Sequence, residues 1–104
     1  MIESEKDLEK KLNLLVKIRG GISLKIPAIH FKGIPDRVCF LPGGVVFFAE
    51  IKTTKKKPTK LQTVVQNRLG RLGFKVYVVD TTEKIHRISE LFEIKSDVKE
   101  GPTT

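Results

Sequence analysis

Two carboxylates and a lysine form the pattern in this sequence that is best suited to chemistry. Glu50 and Lys52 lie two residues apart at the end of the apolar run 45–52. Alternate side chains of a strand point to the same face, so both charges should point the same way. Asp36 precedes another strand-like segment, and the turn-forming residues 42–44 separate the two segments. A hairpin would therefore bring Asp36 beside Glu50.

This set favours hydrolysis of a phosphodiester. Two carboxylates can hold Mg²⁺ or Mn²⁺ through oxygen and leave coordination positions for water and phosphate. Such an ion lowers the pKa of bound water and offsets charge on phosphorus. Lys52 could orient the water or stabilise the transition state, and the backbone carbonyl of Ile51 could be a further ligand. Spacing alone leaves open a strand-end salt bridge between Glu50 and Lys52 or Arg37.

The residues before Asp36 are suited to holding it in place. Pro35 fixes its own φ and favours an extended Ile34, and Gly33 permits a turn that other residues resist. This lead-in indicates an aspartate placed rigidly at the start of a strand.

Two further polar residues could reach the same site. Glu5 falls at the centre of the apolar stripe of a helix predicted over residues 4–18. A carboxylate aimed at a core is costly unless it is compensated, so Glu5 is either an acid favoured by the helix dipole or a group that serves the metal or Lys52. Gln62 follows Thr59 by three residues, which fits a capping box, and it could also reach Glu50.

The charge balance favours a polyanionic partner. The chain has 104 residues, a net charge of +8 and a pI near 9.8, which makes nucleic acid the leading candidate before an anionic membrane or a solubility effect. Basic residues around the predicted site are expected to contact phosphates without reading sequence. These residues are Lys32, Arg37, Lys55, Lys56, Lys57 and Lys60.

Other classes of site find little support. The single cysteine, Cys39, excludes an internal disulfide and a cysteine-cluster zinc site, and it fits a reducing compartment. The polar N-terminus is not typical of a secretory signal, and the apolar runs are too short to span a membrane. His30 and His86 lack metal-type spacing.

The periodicity predicts an α/β fold of order α-β-β-β-α-β-α, with one mixed sheet flanked by helices. The second helix should bury Leu61, Val64, Val65, Leu69 and Leu72, and the third Ile85, Ile88, Leu91 and Phe92. We expect one domain over residues 1–94. The polar residues 95–104 are expected to form a disordered tail.

These residues resemble a known family. The set Glu5-x-x-Leu8, Gly33-Ile34-Pro35-Asp36, Glu50-Ile51-Lys52 and Gln62 with Leu69 is similar to the VRR-NUC domain, a branch of the PD-(D/E)xK restriction-endonuclease-like superfamily. The segment 74–80 resembles the strand that follows in that family. The similarity runs from about residue 3 to residue 94.

The resemblance implies a nuclease dependent on Mg²⁺ or Mn²⁺. It implies that Asp36 and Glu50 are metal ligands, that Lys52 is the catalytic lysine, and that Glu5 and Gln62 complete the catalytic set. Similarity to Holliday junction resolvases further implies branched DNA as substrate and a homodimer with two sites. Small members of this family are phage or bacterial proteins, so we expect the cytoplasm of a bacterial cell.

Two other functions stay open at this point. A nucleic-acid-binding module could keep the fold and bind in a salt-sensitive way without cleaving. A nuclease of another preference, such as a nicking enzyme, a flap nuclease or an exonuclease, would carry the same residues.

Overall fold

A computed structural model describes residues 3–53 and 55–98 of the chain. Its elements follow the predicted order: α1 (Glu5–Ile18), β1 (Ile22–Lys25), β2 (Arg37–Leu41), β3 (Val45–Ile51), α2 (Lys60–Arg71), β4 (Lys75–Val79) and α3 (Thr82–Val98).

The four strands form one mixed sheet in the order β1-β2-β3-β4. The first three strands are antiparallel, and β4 runs parallel to β3. A parallel pair needs a crossover connection, and α2 provides it. Glycines with positive φ, Gly43 at 84° and Gly44 at 76°, form the turn between β2 and β3. The predicted mixed sheet is confirmed.

Helix α1 begins as its sequence predicts. The Ser4 hydroxyl accepts a hydrogen bond from the backbone N–H of Asp7, which satisfies one of the unpaired donors at the start of the helix. Leu8, Leu12 and Val16 recur at helical spacing and are fully buried. This stripe fixes α1 against the sheet.

The main core lies between the sheet and the two helices α1 and α3. Alternate residues of β3 supply its centre, with Phe47, Ala49 and Ile51 all buried. Phe47 stacks on Phe92 of α3 with ring centroids 4.9 Å apart, and the edge of Tyr77 completes the cluster. Aromatic contacts of this kind add about 0.5–1.5 kcal/mol beyond the area that they bury.

The predicted inward faces of α2 and α3 were partly wrong. In α2 only Val65 is buried, whereas Leu61 and Val64 of the helix and Leu72 at its C-cap are 48%, 57% and 68% exposed. The reason is that α2 packs against β4, so only one flank of the helix meets the sheet. Leu91 of α3 is 52% exposed because it lies to one side of the buried stripe of that helix.

The end of the last helix also differs from the prediction. Helix α3 continues to Val98, so residues 95–98 are helical where we expected a tail. Residues 99–104 lie outside the described residues. Within residues 3–53 and 55–98, no helix is long and apolar enough to cross a membrane.

Candidate active site at one end of the sheet

The fold brings Asp36, Glu50 and Lys52 together. Arg37 pairs with Ala49 in the register of β2 and β3, which sets the preceding residue Asp36 opposite Glu50 on one face of the sheet. Lys52 follows β3 directly, and its Nζ lies 3.4 Å from Glu50 Oε2. The central pattern of the sequence is therefore one cluster in space.

Asp36 is held on both its backbone and its side chain. Its carboxylate oxygen Oδ2 accepts a hydrogen bond of 2.8 Å from the backbone N–H of Ile51. Its carbonyl accepts another, of 2.7 Å, from the backbone N–H of Ile26. One bond fixes the carboxylate and the other fixes the backbone that carries it, so the side chain has little freedom to turn, as a pre-organised ligand requires.

Close packing against α2 requires a glycine at position 33, three residues before Asp36. Gly33 has a φ of +87°, and a Cβ at this position would lie 2.9 Å from Leu61 Cγ and 3.0 Å from Val65 Cγ2. Both contacts are shorter than ordinary van der Waals separation, so only glycine lets the loop approach α2 this closely. The lead-in to Asp36 is thus clamped against α2.

Glu50 is buried with only half of its carboxylate satisfied. The residue is 1% exposed, and its Oε2 accepts a 2.8 Å hydrogen bond from Gln62 Nε2. Its other oxygen, Oε1, has no hydrogen-bond partner among the described residues. A buried carboxylate oxygen left in this state is unfavourable unless a further partner binds it.

Gln62 performs both of the roles that its position allowed. Its Oε1 accepts a 2.9 Å hydrogen bond from the backbone N–H of Thr59, which completes the capping box of α2. Its Nε2 donates to Glu50. The helix start therefore fixes the amide that orients the carboxylate.

Both carboxylates are costly to ionise in this place. Burial raises the pKa of Glu50, and the charge of Asp36 raises it further, while Lys52 opposes both effects. Burial also raises the pKa of Asp36; the Ile51 N–H and Lys52 counteract it, and the charges of Glu5 and Glu9 add to it. Two acids that repel in a desolvated place are stabilised by a cation held between them.

The donor set fits a small divalent cation. Mg²⁺ and Mn²⁺ prefer carboxylate and carbonyl oxygens, and the free Oε1 of Glu50 is such a donor in a buried place. Within residues 3–53 and 55–98, no group of three or more His, Cys, Asp or Glu side chains is arranged to hold a metal. An ion shared by Asp36 and Glu50 would thus need further oxygens from backbone or water.

A stability measurement can detect this electrostatic cost. Burial raises the pKa of Glu50 in the folded chain above its pKa in the unfolded chain. The free energy of unfolding therefore falls as pH rises from the unfolded-state pKa through the folded-state pKa. At neutral pH in chelator, Glu50→Gln should therefore be more stable than the parent by about 1–2 kcal/mol. The advantage should vanish at pH values where the carboxyl is protonated in both states.

Thermal unfolding across pH measures this effect, and the expected rise in Tm at neutral pH is about 4–16 °C, since each kcal/mol shifts the Tm of a chain of this size by about 4–8 °C. Glu83→Gln is the matched control, since Glu83 has a 73% exposed side chain and its loss should change little. A Glu50→Gln protein that is less stable than the parent at neutral pH would contradict the assignment.

Among the three glutamates near the start of α1, Glu5 is the one without a structural partner in the described chain. Glu9 forms an ion pair of 2.6 Å with Arg37, and Glu3 bonds to Lys11 and Thr82. The side chain of Glu5 has no hydrogen bond or ion pair with any described residue, yet its charge raises the pKa of Asp36. This arrangement leaves Glu5 available to a bound ion or water.

Arg37 does not lie where the sequence suggested. It was predicted to contact phosphate, but it lies on the opposite face of the sheet from Asp36. Its guanidinium donates to Glu9, to the hydroxyl of Ser23 at 2.7 Å and to the carbonyl of Ser23 at 3.2 Å. Strand alternation explains the difference, since neighbours in a strand point to opposite faces. The other predicted basic residues, Lys32, Lys55, Lys56, Lys57 and Lys60, are exposed.

Two parts of the site left no signal in the sequence. The N–H of Ile51 anchors Asp36, whereas the sequence suggested only its carbonyl as a ligand. The N–H of Ile26 holds the backbone of Asp36. Backbone donors are the same at every residue, so only the register of the strands reveals them.

Known proteins are similar to this chain in sequence and in fold. No family model matches the chain. Over 79 residues it is 38% identical to "Putative nuclease p44" of Acyrthosiphon pisum secondary endosymbiont phage 1, covering 76% of this chain and 85% of that protein. A solved structure described as "VRR_NUC domain" superposes with a TM-score of 0.78 at 28% identity, covering 83% of this chain and 94% of that one.

Proposed function

Since this chain belongs to the VRR-NUC domain family, we propose that it is a metal-dependent endodeoxyribonuclease that hydrolyses phosphodiester bonds in branched DNA. The observation that carries the proposal is the buried pair of carboxylates, Asp36 and Glu50, with Lys52 beside them and one carboxylate oxygen unsatisfied. A structural ion pair would not need the second carboxylate or the free oxygen.

Each residue has a distinct role in the proposed reaction. Asp36 and Glu50, with the backbone carbonyl of Ile51, would hold Mg²⁺ or Mn²⁺. The ion, when bound, activates water and offsets charge at phosphorus. Lys52 Nζ, within 3.4 Å of Glu50, is placed to orient the attacking water or to stabilise the negative charge that develops on phosphate oxygens.

The remaining residues keep this arrangement rigid. Gln62 orients Glu50 through its amide, and Thr59 orients Gln62. The Ile51 N–H occupies one oxygen of Asp36 and leaves the other for a ligand. Glu5 would act through a water molecule or through Lys52. Mutual orientation of this kind is what allows a small domain to position a phosphodiester accurately.

The proposal extends to the preferred DNA structure and to the oligomeric state of the protein. We propose four-way junction DNA as the leading substrate and a homodimer whose two sites cut symmetric strands. Exposed lysines near the site support electrostatic binding to the DNA backbone that does not depend on sequence. The phage origin of the similar p44 protein supports a role in a bacterial cell, encoded by the cell or by a phage.

Incubation with labelled DNA tests the proposal. Linear duplex, flap and four-way junction substrates would be incubated with Mg²⁺, Mn²⁺ or chelator. The proposal predicts metal-dependent internal cuts, fastest in the junction and absent in chelator. Binding without cleavage in any metal would favour the non-cleaving module, and products shortened from an end or cut at a flap would favour the other nuclease types.

The lysine loop offers a separate test of DNA binding. Lys55, Lys56 and Lys57 are exposed and lie in the connection between β3 and α2, a few residues after Lys52. Replacing all three with glutamine should weaken DNA binding and reduce the slope of log affinity against log salt by about two to three, since each duplex phosphate that is no longer neutralised accounts for roughly 0.9. Fluorescence anisotropy at several salt concentrations measures this slope. An unchanged slope would mean that the loop does not meet the backbone.

Glu5 can be distinguished from its neighbours by substitution. Glu5→Gln should slow cleavage by about tenfold or more, because it removes the carboxylate that we propose holds a water molecule at the metal site. Glu3→Gln is the matched control, since Glu3 is engaged with Lys11 and Thr82. Single-turnover cleavage rates at saturating metal compare the two. Equal effects would reject a role for Glu5 at the site.

A further inference from the structure

A groove lies between the second half of α2 and the start of β4, on the face of the sheet that carries Glu50. Its volume is about 450 Å³, which is enough for a planar group such as a nucleobase. It is here called the α2 groove, and its lining includes Gln66, Asn67, Gly70, Gly73, Phe74 and Lys75. These residues belong neither to the metal site nor to the main core.

A carboxamide that lines the groove is left unsatisfied. Gln66 lies one helical turn after Gln62, on the flank of α2 that meets the sheet. Its nitrogen Nε2 is buried and has no hydrogen-bond partner among the described residues. Burial of such a donor is unfavourable, so an acceptor on a bound group would stabilise this part of the structure.

Gly70 has no packing reason to be a glycine. It lies inside α2, where glycine is less favourable than alanine because it loses more conformational freedom on folding. A Cβ at this position would meet no atom within 4 Å apart from the nearby backbone of the helix, in contrast to Gly33. A glycine at position 70 keeps this wall of the groove flat and lets a planar group approach the backbone.

An exposed aromatic ring borders the groove. Phe74 is 40% exposed, and Phe48 holds it from below with ring centroids 5.7 Å apart and ring planes at 87°. Phe48 precedes Glu50 by two residues, so the aromatic pair and the metal ligand share one face of β3. Phe74 also borders a second cavity, of about 380 Å³, beside the turn at residues 43–44, so space lies on two sides of this residue.

We propose that the α2 groove holds an unpaired nucleobase of the DNA that the site cuts, within about four nucleotides of the cut bond. Gly70 follows Gln62 by eight residues, or about 12 Å of helix, and a stacked strand advances about 3.4 Å per nucleotide. The base stacks on Phe74, and Gln66 and Asn67 hydrogen-bond to its edge. This inference rests on the proposed function, because it takes the strand in the groove to be the strand in the metal site.

The chemistry of the lining favours a nucleobase over other ligands. Carboxamides both donate and accept hydrogen bonds, which matches the mixed edge of a base. An apolar ligand would leave the amide of Gln66 unsatisfied. Lys75 lines the groove and Arg71 follows Gly70 directly, and both are exposed and able to contact the phosphates beside the base. Among the described residues that line the groove none is acidic, so the strand meets no repelling charge there.

Fluorescence anisotropy in chelator tests the inference with two dye-labelled single strands of equal charge, one of mixed sequence and one with abasic residues throughout. The parent protein should bind the strand with bases about tenfold or more tightly than the abasic strand, since stacking of one base on an aromatic side chain has an effect of this size. Gly70→Leu fills the groove, and Phe74→Leu removes the aromatic face. Each variant should lose this preference and bind the abasic strand as the parent protein does.

His86→Leu is the matched control, because it places a leucine at an exposed position of α3, on the other side of the sheet. It should keep the preference of the parent protein. Gly70→Leu should melt at or above the Tm of the parent protein, because leucine is a better helix former than glycine. A melting curve therefore separates a blocked groove from an unfolded chain.

Equal affinity of the parent protein for the two strands would overturn the inference, and so would variants that weaken the binding of both strands to the same extent. Displacement of the strand by micromolar deoxyadenosine monophosphate would show that the groove takes a free nucleotide, which would also overturn it. Because the measurement needs neither metal nor cleavage, its failure is distinguishable from failure of the proposed nuclease activity.

Discussion

Asp36→Asn and Glu50→Gln should each reduce DNA cleavage by about a thousandfold or more while leaving DNA affinity within about twofold. Each change removes a ligand of the proposed cation, and an ion at the reacting phosphate is worth several kcal/mol of transition-state stabilisation. Affinity should persist because the exposed lysines, rather than the carboxylates, contact the backbone. Single-turnover cleavage and anisotropy binding on the same four-way junction measure the two effects.

The control for this pair is Glu83→Gln, which makes the same chemical change at an exposed position of α3. It should cleave at the rate of the parent protein. A purified Asp36→Asn protein that cuts as fast as the parent would remove the site assignment. An equal fall in DNA affinity and in cleavage rate would instead show that the carboxylates maintain the protein surface that binds DNA.

Lys52→Met should slow cleavage by roughly a hundredfold to a thousandfold, the usual effect of removing one group that stabilises transition-state charge. The pH dependence of the cleavage rate separates the loss of the ammonium charge from a general loss of packing. Lys52 lowers the pKa of both Asp36 and Glu50, so its removal raises both pKa values further. The acid limb of the pH–rate profile should then move to higher pH, because the carboxylates must be ionised to bind a cation.

Lys17→Met serves as the matched control, because Lys17 is exposed in the last turn of α1 and is not among the residues assigned to the site or to DNA. Lys52→Arg keeps the charge and should keep the acid limb near its parent position even if the rate falls. A Lys52→Met protein with the parent pH profile would show that the ammonium group does not act on the carboxylates.

The site was predictable to the extent that strand alternation and one hairpin determine it. Glu50 and Lys52 had to share a face, and the turn at residues 42–44 had to return the chain toward Asp36. The capping box at Thr59 was readable from spacing, although only the fold shows that the same glutamine reaches Glu50. Strand alternation, a hairpin turn and a helix cap were therefore enough to predict the contacts between residues that lie near each other in the sequence.

The remaining features depend on how elements pack over long range. Arg37 looked like a phosphate-binding residue because it adjoins Asp36, but α1 supplies Glu9 to the opposite face. The apolar flank of α2 looked like core because periodicity cannot say how much sheet a helix covers. The unsatisfied oxygen of Glu50 is a property of three-dimensional geometry and leaves no trace in residue types.

The most direct test of the central claim is a calorimetric titration of Mn²⁺ into the protein without DNA. We expect one ion to bind per chain in the parent protein, and we expect that binding to be abolished in both Asp36→Asn and Glu50→Gln and retained in Glu83→Gln. Binding of Mn²⁺ to Glu50→Gln with the stoichiometry and affinity of the parent protein would show that these carboxylates do not share a metal ion.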